Sequence, residues 1–128
     1  MNPVVLIIDD DAKMRELVAD ILRAYKFETL CAATAEEGLQ TAAARHPDLI
    51  LCDVILPDSD GIQTAQAVKA SPTTTDIPVV LMTGYPYMQR YNKGQWKLLL
   101  KPFSLKELLD AVRGSLRMAA ESPAVRSP

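Results

Sequence analysis

A chain of 128 residues can bury about two thirds of the surface its unfolded form exposes, enough for one domain around one core. Hydrophobic residues make up 48% and charged residues 23%, and 14 Lys+Arg against 16 Asp+Glu leave a net charge of −2. That balance excludes a disordered chain, and it lacks the basic excess that neutralises phosphates, so no direct contact with nucleic acid is expected.

The first predicted element is a strand over Val4–Ile8, a continuous apolar run that stops at Asp9-Asp10-Asp11. No basic segment precedes it, so no signal peptide is expected. Met14, Leu17, Val18, Ile21, Leu22 and Tyr25 then recur at helical spacing and predict an amphipathic helix. Residues 27–32 form a weaker second strand, and Thr34-Ala35-Glu36-Glu37 is a capping box opening a helix that ends near Arg45, ahead of Pro47. Residues 49–52 are a third strand, and Asp60-Gly61 starts a helix running to about Ala70. A fourth strand covers residues 78–82, with proline tolerated at its first position, and residues 96–100 make a fifth. Ser104-Leu105-Lys106-Glu107 is a second capping box, opening a last helix with an apolar face of Leu105, Leu108, Leu109, Val112 and Leu116. The domain is expected over residues 1–121, with 122–128, rich in Ser-Pro, as a flexible tail or the start of a linker.

Short strands that are apolar throughout, alternating with helices, imply right-handed parallel crossovers and hence a doubly wound parallel α/β sheet. Cys31 and Cys52 have no metal-ligand or disulfide spacing and are expected to be small buried hydrophobes. No apolar stretch approaches the roughly 20 residues that span a bilayer, so a cytoplasmic location without membrane contact is expected. His46, the only histidine, sits at a helix end before Pro47 and is expected at the surface. Arg113 and Arg117 are expected on the solvated edge of the last helix.

Doubly wound sheets bind ligands beyond the carboxyl ends of their strands. Those ends carry Asp9-Asp10-Asp11, Asp53, Thr83 and Lys101-Pro102. Singly, each has a plain explanation: Asp11 as a helix cap, Asp53 as the start of a turn, Thr83 as an ordinary strand residue, Lys101 as surface charge. Together they are harder to dismiss, because Asp53 interrupts an apolar stretch and a buried carboxylate needs a partner. Carboxylates gathered within a few ångströms repel by about 4 kcal/mol per close pair at an effective dielectric of about 20, and a cation relieves this. Oxygen ligands without thiolate or imidazole favour Mg²⁺. A carboxylate, a divalent cation, an ammonium and a hydroxyl together suit phosphoryl transfer, with Asp53 as the natural nucleophile.

These residues resemble a receiver domain of bacterial two-component response regulators over essentially residues 3–120. The likeness rests on Asp9-Asp10 after an apolar strand, Asp53-Val54-Ile55-Leu56-Pro57 with Asp60-Gly61, Thr83-Gly84, and Lys101-Pro102-Phe103. The resemblance implies a flavodoxin-like sheet of five strands in the order 2-1-3-4-5 and a cis Lys101–Pro102 bond. It implies that Asp53 accepts a phosphoryl group from a histidine kinase or phosphotransfer protein. Mg²⁺ would be held by Asp10, Asp53 and the Ile55 carbonyl, with Asp9 acting largely through water, while Thr83, the Gly84 amide and Lys101 hold the phosphoryl oxygens.

Three departures from the family pattern bear on output. The segment from Thr83 to Lys101 is about a helical turn short and contains Pro86, so the fourth helix should be stunted or remodelled. Leu98 stands where the family usually has an aromatic residue that moves with the threonine. Ile55 and Tyr85, bulky and unable to orient water, flank the expected path to the phosphoryl group, which implies slow self-dephosphorylation. Tyr85, Tyr87, Tyr91 and Trp96 all lie in the altered segment. They are expected to fill a core left open by the missing turn, the alternative being an aromatic partner-binding or homodimer surface.

The sequence therefore points to a phosphoacceptor module without catalytic output of its own, acting on an unknown output protein or a further output domain. Two rivals stay open: a phosphorylation-independent interaction module, and a Mg²⁺-dependent phosphatase with an aspartate nucleophile. The latter would need a second acid near Asp53 and a substrate cap.

Overall fold

The computed structural model describes residues 2–121, and the expectation for 122–128 lies outside the described residues. Strands and helices alternate as β1 (Val4–Ile8), α1 (Ala12–Ala24), β2 (Glu28–Ala32), α2 (Ala35–Arg45), β3 (Leu49–Asp53), α3 (Gly61–Ala70), β4 (Val79–Thr83), α4 (Met88–Asn92), β5 (Lys97–Leu100) and α5 (Leu105–Glu121). All pairings are parallel and the sheet order is β2-β1-β3-β4-β5, the doubly wound arrangement expected. The largest boundary shifts are small: β3 and β4 each run one residue further, to Asp53 and Thr83, and β5 begins after Trp96.

Side-chain alternation along each strand divides the core in two. Val5, Ile7, Leu49, Leu51, Val80, Met82 and Leu99 pack with Val18 and Leu22 of α1 and Leu108 and Val112 of α5. Leu6, Ile8, Ile50, Cys52 and Leu81 pack with Ala42 of α2, Val68 of α3 and Met88 of α4. Both faces are covered, which is why β1 is apolar throughout and β3 and β4 are apolar up to Asp53 and Thr83 at their ends.

The helix starts obey the sequence. Asp11 caps α1 by accepting the Lys13 and Met14 amides, and Asp60 caps α3 by accepting the Gln63 amide at 2.7 Å. The Ser104 box is complete: its hydroxyl accepts the Glu107 amide and its own amide donates to the Glu107 carboxylate, both at 3.0 Å. Gly61 is needed at the start of α3 because a Cβ there would collide with the Asp53 carbonyl oxygen and lie 2.8 Å from Val54 Cα.

The fourth helix is stunted as expected, reduced to five residues. Pro86 opens a tight turn in which Met88 and Gln89 donate three residues back to Tyr85 and Pro86. Lys93 and Gly94, both at positive φ, then reverse the chain. Asn92 is buried and latches the turn, its side chain donating to the Trp96 carbonyl and accepting the Trp96 amide at 2.8 Å.

Two expectations need correction. Cys52 is buried but Cys31 is exposed, because β2 is an edge strand. The aromatic residues do not act together as core fillers. Trp96 packs against the second core cluster, its indole Nε1 buried without a hydrogen-bond partner, but Tyr85, Tyr87 and Tyr91 are exposed at 44%, 58% and 78%. The Asn92 latch and Met88 close the gap left by the missing turn, and the tyrosines face solvent. His46 lies exposed at the end of α2, its ring against Asp76 at 3.0 Å, and Arg113 is exposed over the Tyr25 ring.

Candidate functional site

Parity and register assemble the site. Asp9 follows Val5 and Ile7, Asp53 follows Leu49 and Leu51, and Lys101 follows Leu99, so all three continue the rows facing α1 and α5. Ile8 pairs with Cys52, which sets Asp9 level with Asp53, and Thr83 pairs with Leu100, which sets it beside the turn to Lys101. The Lys101 amide donates to the Thr83 carbonyl at 2.7 Å, and the Lys101–Pro102 bond is cis.

At the centre, the Lys101 ammonium donates to Asp9 Oδ2 and to Asp53 Oδ2, each at 3.2 Å. The Asp9 side chain is fully buried and the Asp53 side chain 14% exposed. The other Asp9 oxygen accepts the Asp11 amide at 3.0 Å, and Arg15 of α1 donates to the Asp9 carbonyl at 2.7 Å. Asp10 is exposed, yet one carboxylate oxygen from each of Asp9, Asp10 and Asp53 lies within 4.8 Å of the others. Thr83 is buried, and its hydroxyl oxygen accepts the Tyr85 amide at 3.1 Å. Gly84 and Ile55 are exposed, and the Ile55 amide donates to Asp53 Oδ1 at 3.4 Å.

Burial raises the Asp53 carboxyl above its ordinary pKa; the Lys101 charge opposes this and the Asp9 charge adds to it. Burial pulls the Lys101 ammonium the other way, but the Asp53 and Asp9 charges outweigh it and its pKa is raised. The neighbouring Cys52 thiol is pushed up to about 12, by burial and then by the Asp53 charge. It therefore stays protonated, and the carboxylate cluster offers only oxygen to a cation. Such a donor set suits a hard ion of the Mg²⁺ type better than zinc.

Every strand-end residue named from the sequence thus lies at one edge of the sheet. Sequence reasoning missed Arg15, whose one signal was its position a turn into α1, and Asp58, whose partners are 23 and 22 residues away in α2. Leu98 is half-buried on the same face of the sheet as Leu81, in the second core cluster.

Comparison with known proteins gives the family. A family model described as the response regulator receiver domain matches residues 5–113. The phosphate regulon transcriptional regulatory protein PhoB of Pseudomonas aeruginosa is 34% identical over 117 residues, 88% of this chain and 51% of that protein. The DNA-binding dual master transcriptional regulator RpaA of Synechocystis is 34% identical over 125 residues, 94% of this chain and 52% of that protein. The chain spans about half the length of these curated relatives. The chemotaxis response regulator CheY4 of Vibrio cholerae superposes with a TM-score of 0.81 at 26% identity, covering 90% of this chain and 99% of that one. With the family model covering most of its length, the chain belongs to the response regulator receiver domains.

Proposed function

We propose that Asp53 is the phosphoacceptor of this receiver domain and that its modification switches contacts with other proteins. The observation that carries the reading is the Lys101 ammonium held at 3.2 Å from both Asp9 and Asp53 at the strand ends, beside a buried threonine. One Asp53 oxygen attacks the phosphorus of a phosphohistidine on a kinase or phosphotransfer protein. The P–O bond forms as the P–N bond breaks, and the electron pair leaves with the imidazole. Asp10, Asp53 and the Ile55 carbonyl would hold Mg²⁺, with Asp9 acting largely through water, and the ion would supply positive charge against the phosphoryl oxygens. Lys101, the Thr83 hydroxyl and the Gly84 amide take the remaining oxygens.

The module needs no catalytic output of its own, and a cytoplasmic location fits a chain in which no described helix is long and apolar enough to cross a membrane. Residues 1–121 are assigned to the domain, and the recipient of the signal is an output protein, an output domain or a second copy. Leu98 and the five-residue α4 favour one second reading, an interaction module that no longer responds to phosphorylation.

The deciding experiment is binding of the phosphoryl mimic beryllofluoride with Mg²⁺, followed by amide NMR on wild type and Asp53→Asn. Shifts spreading from Asp53 into residues 84–97 in the wild type alone are expected. Shifts confined to the pocket favour the second reading, and no binding refutes the phosphoacceptor assignment.

A further inference from the structure

Asp58 lies in the loop between β3 and α3, and its carboxylate is committed to a different element. Oδ1 accepts the Ala35 amide at 2.9 Å and Oδ2 accepts the Glu36 amide at 3.0 Å. These are two of the first-turn amides that a helix leaves unpaired. The Thr34 hydroxyl takes the Glu37 amide at 3.1 Å. The cap of α2 is therefore divided between a local residue and one that arrives from the loop following Asp53. The two amides also hold the Asp58 carboxyl below the ordinary carboxylate range.

That division matters because of what the loop carries. Between Asp53 and α3 the chain folds back on itself: Ile55 bridges Asp60, the Leu56 amide donates to the Ser59 carbonyl at 3.1 Å, and the Gly61 amide donates to the Val54 carbonyl at 2.6 Å. These bonds shape the loop, and at its base the Val54 amide donates to the Met82 carbonyl of β4 at 2.9 Å. Leu56, buried in the second core cluster, also holds the base. Asp58 holds its tip, with both oxygens engaged.

We propose that Asp58 is a positioning residue for the phosphoacceptor site: by tying the loop tip to the start of α2, it fixes the backbone of Ile55 for the cation. This rests on the assignment of the Ile55 carbonyl made above. Loss of the tie leaves the fold-back held at its base only, so its internal bonds open more often, the carbonyl is no longer presented in one place and Mg²⁺ affinity falls, although Asp58 itself is not a ligand.

The test titrates Mg²⁺ alone into wild type, Asp58→Ala, Asp58→Asn and Thr34→Ala, with amide NMR as readout and amide exchange measured in the metal-free proteins. Thr34→Ala removes the local half of the same cap and leaves the tie in place. Asp58→Ala is expected to bind Mg²⁺ about tenfold more weakly, the lower end of what losing a supporting partner of a metal ligand costs. Asp58→Asn, which keeps one acceptor oxygen, should fall between, and carries the comparison if the alanine variant does not fold. Thr34→Ala should bind as wild type does. Exchange at Leu56 and Gly61 should quicken in the Asp58 variants only. Equal affinity in wild type and Asp58→Ala, or an equal loss in Thr34→Ala, would reduce Asp58 to a helix cap and overturn the proposal. Unchanged exchange at Leu56 and Gly61 overturns the tie itself, whereas a wild type that takes up no Mg²⁺ refutes the cation assignment instead.

Discussion

Removing the charge of Asp53 should stabilise the metal-free protein. At 3.2 Å and an effective dielectric of about 20, Asp53 gains about 5 kcal/mol from Lys101. Against this stands the Asp9 carboxylate within 4.8 Å, worth about 3.5 kcal/mol of repulsion on the same scale, and a weaker, screened term from exposed Asp10. Burial of a side chain only 14% exposed adds a desolvation cost of up to several kcal/mol, discounted for the water that still reaches it. The unfavourable contributions exceed the favourable one, as the raised carboxyl pKa requires. Asp53→Asn keeps the shape and an acceptor for Lys101, and should gain on the order of 1 to 2 kcal/mol, or about 3 to 8 °C in Tm. Because the folded-state pKa is raised, the wild type binds the extra proton when folded. The variant's advantage should therefore be full above the folded-state pKa and shrink as pH falls from there toward the ordinary aspartate value. Urea unfolding at several pH values, with and without Mg²⁺, measures all of this. Mg²⁺ should stabilise the wild type and leave the variant nearly unchanged. A variant less stable than wild type without metal, or one that gains equally from Mg²⁺, would refute the reasoning.

Gly61→Ala should destabilise by about 1 to 3 kcal/mol through overpacking, since the new Cβ meets the backbone of Asp53 and Val54, which cannot rotate aside; unfolding as favourable as wild type would disprove the collision. In thiol labelling of the native protein at mildly alkaline pH, Cys31 should react, slowed by a raised pKa, while Cys52 reacts only on unfolding; native reaction of both refutes the buried placement. After phosphorylation by a small-molecule donor, the acyl phosphate should hydrolyse slowly, and Ile55→Asn should hasten its loss by letting an amide orient water. Rapid hydrolysis in the wild type would remove Ile55 and Tyr85 as guards of the site.

Strand positions, strand-end carboxylates and the caps that Asp11, Thr34, Asp60 and Ser104 give to their own helices are local features, written in runs, spacings and single capping residues, so the sequence displays them. Asp9, Asp53 and Lys101 converge because parity and register are set by apolar rows that the sequence displays. The cap that Asp58 gives to α2 was not legible, because nothing in its neighbourhood marks a partner so far along the chain. Exposure of the three tyrosines was missed for a related reason. A shortened helix says that something must close the core, and only the structure assigns that task to Met88 and to Asn92, whose side chain imitates a strand backbone toward Trp96.

That latch places the only tryptophan of the chain in the remodelled turn, with its indole N–H sealed from water and without an acceptor. Emission from this ring is therefore an optical channel for the turn and the core it packs against. Any event that opens the turn hydrates the indole and moves its spectrum to longer wavelength, so the segment most altered in this chain can be watched in real time without a label.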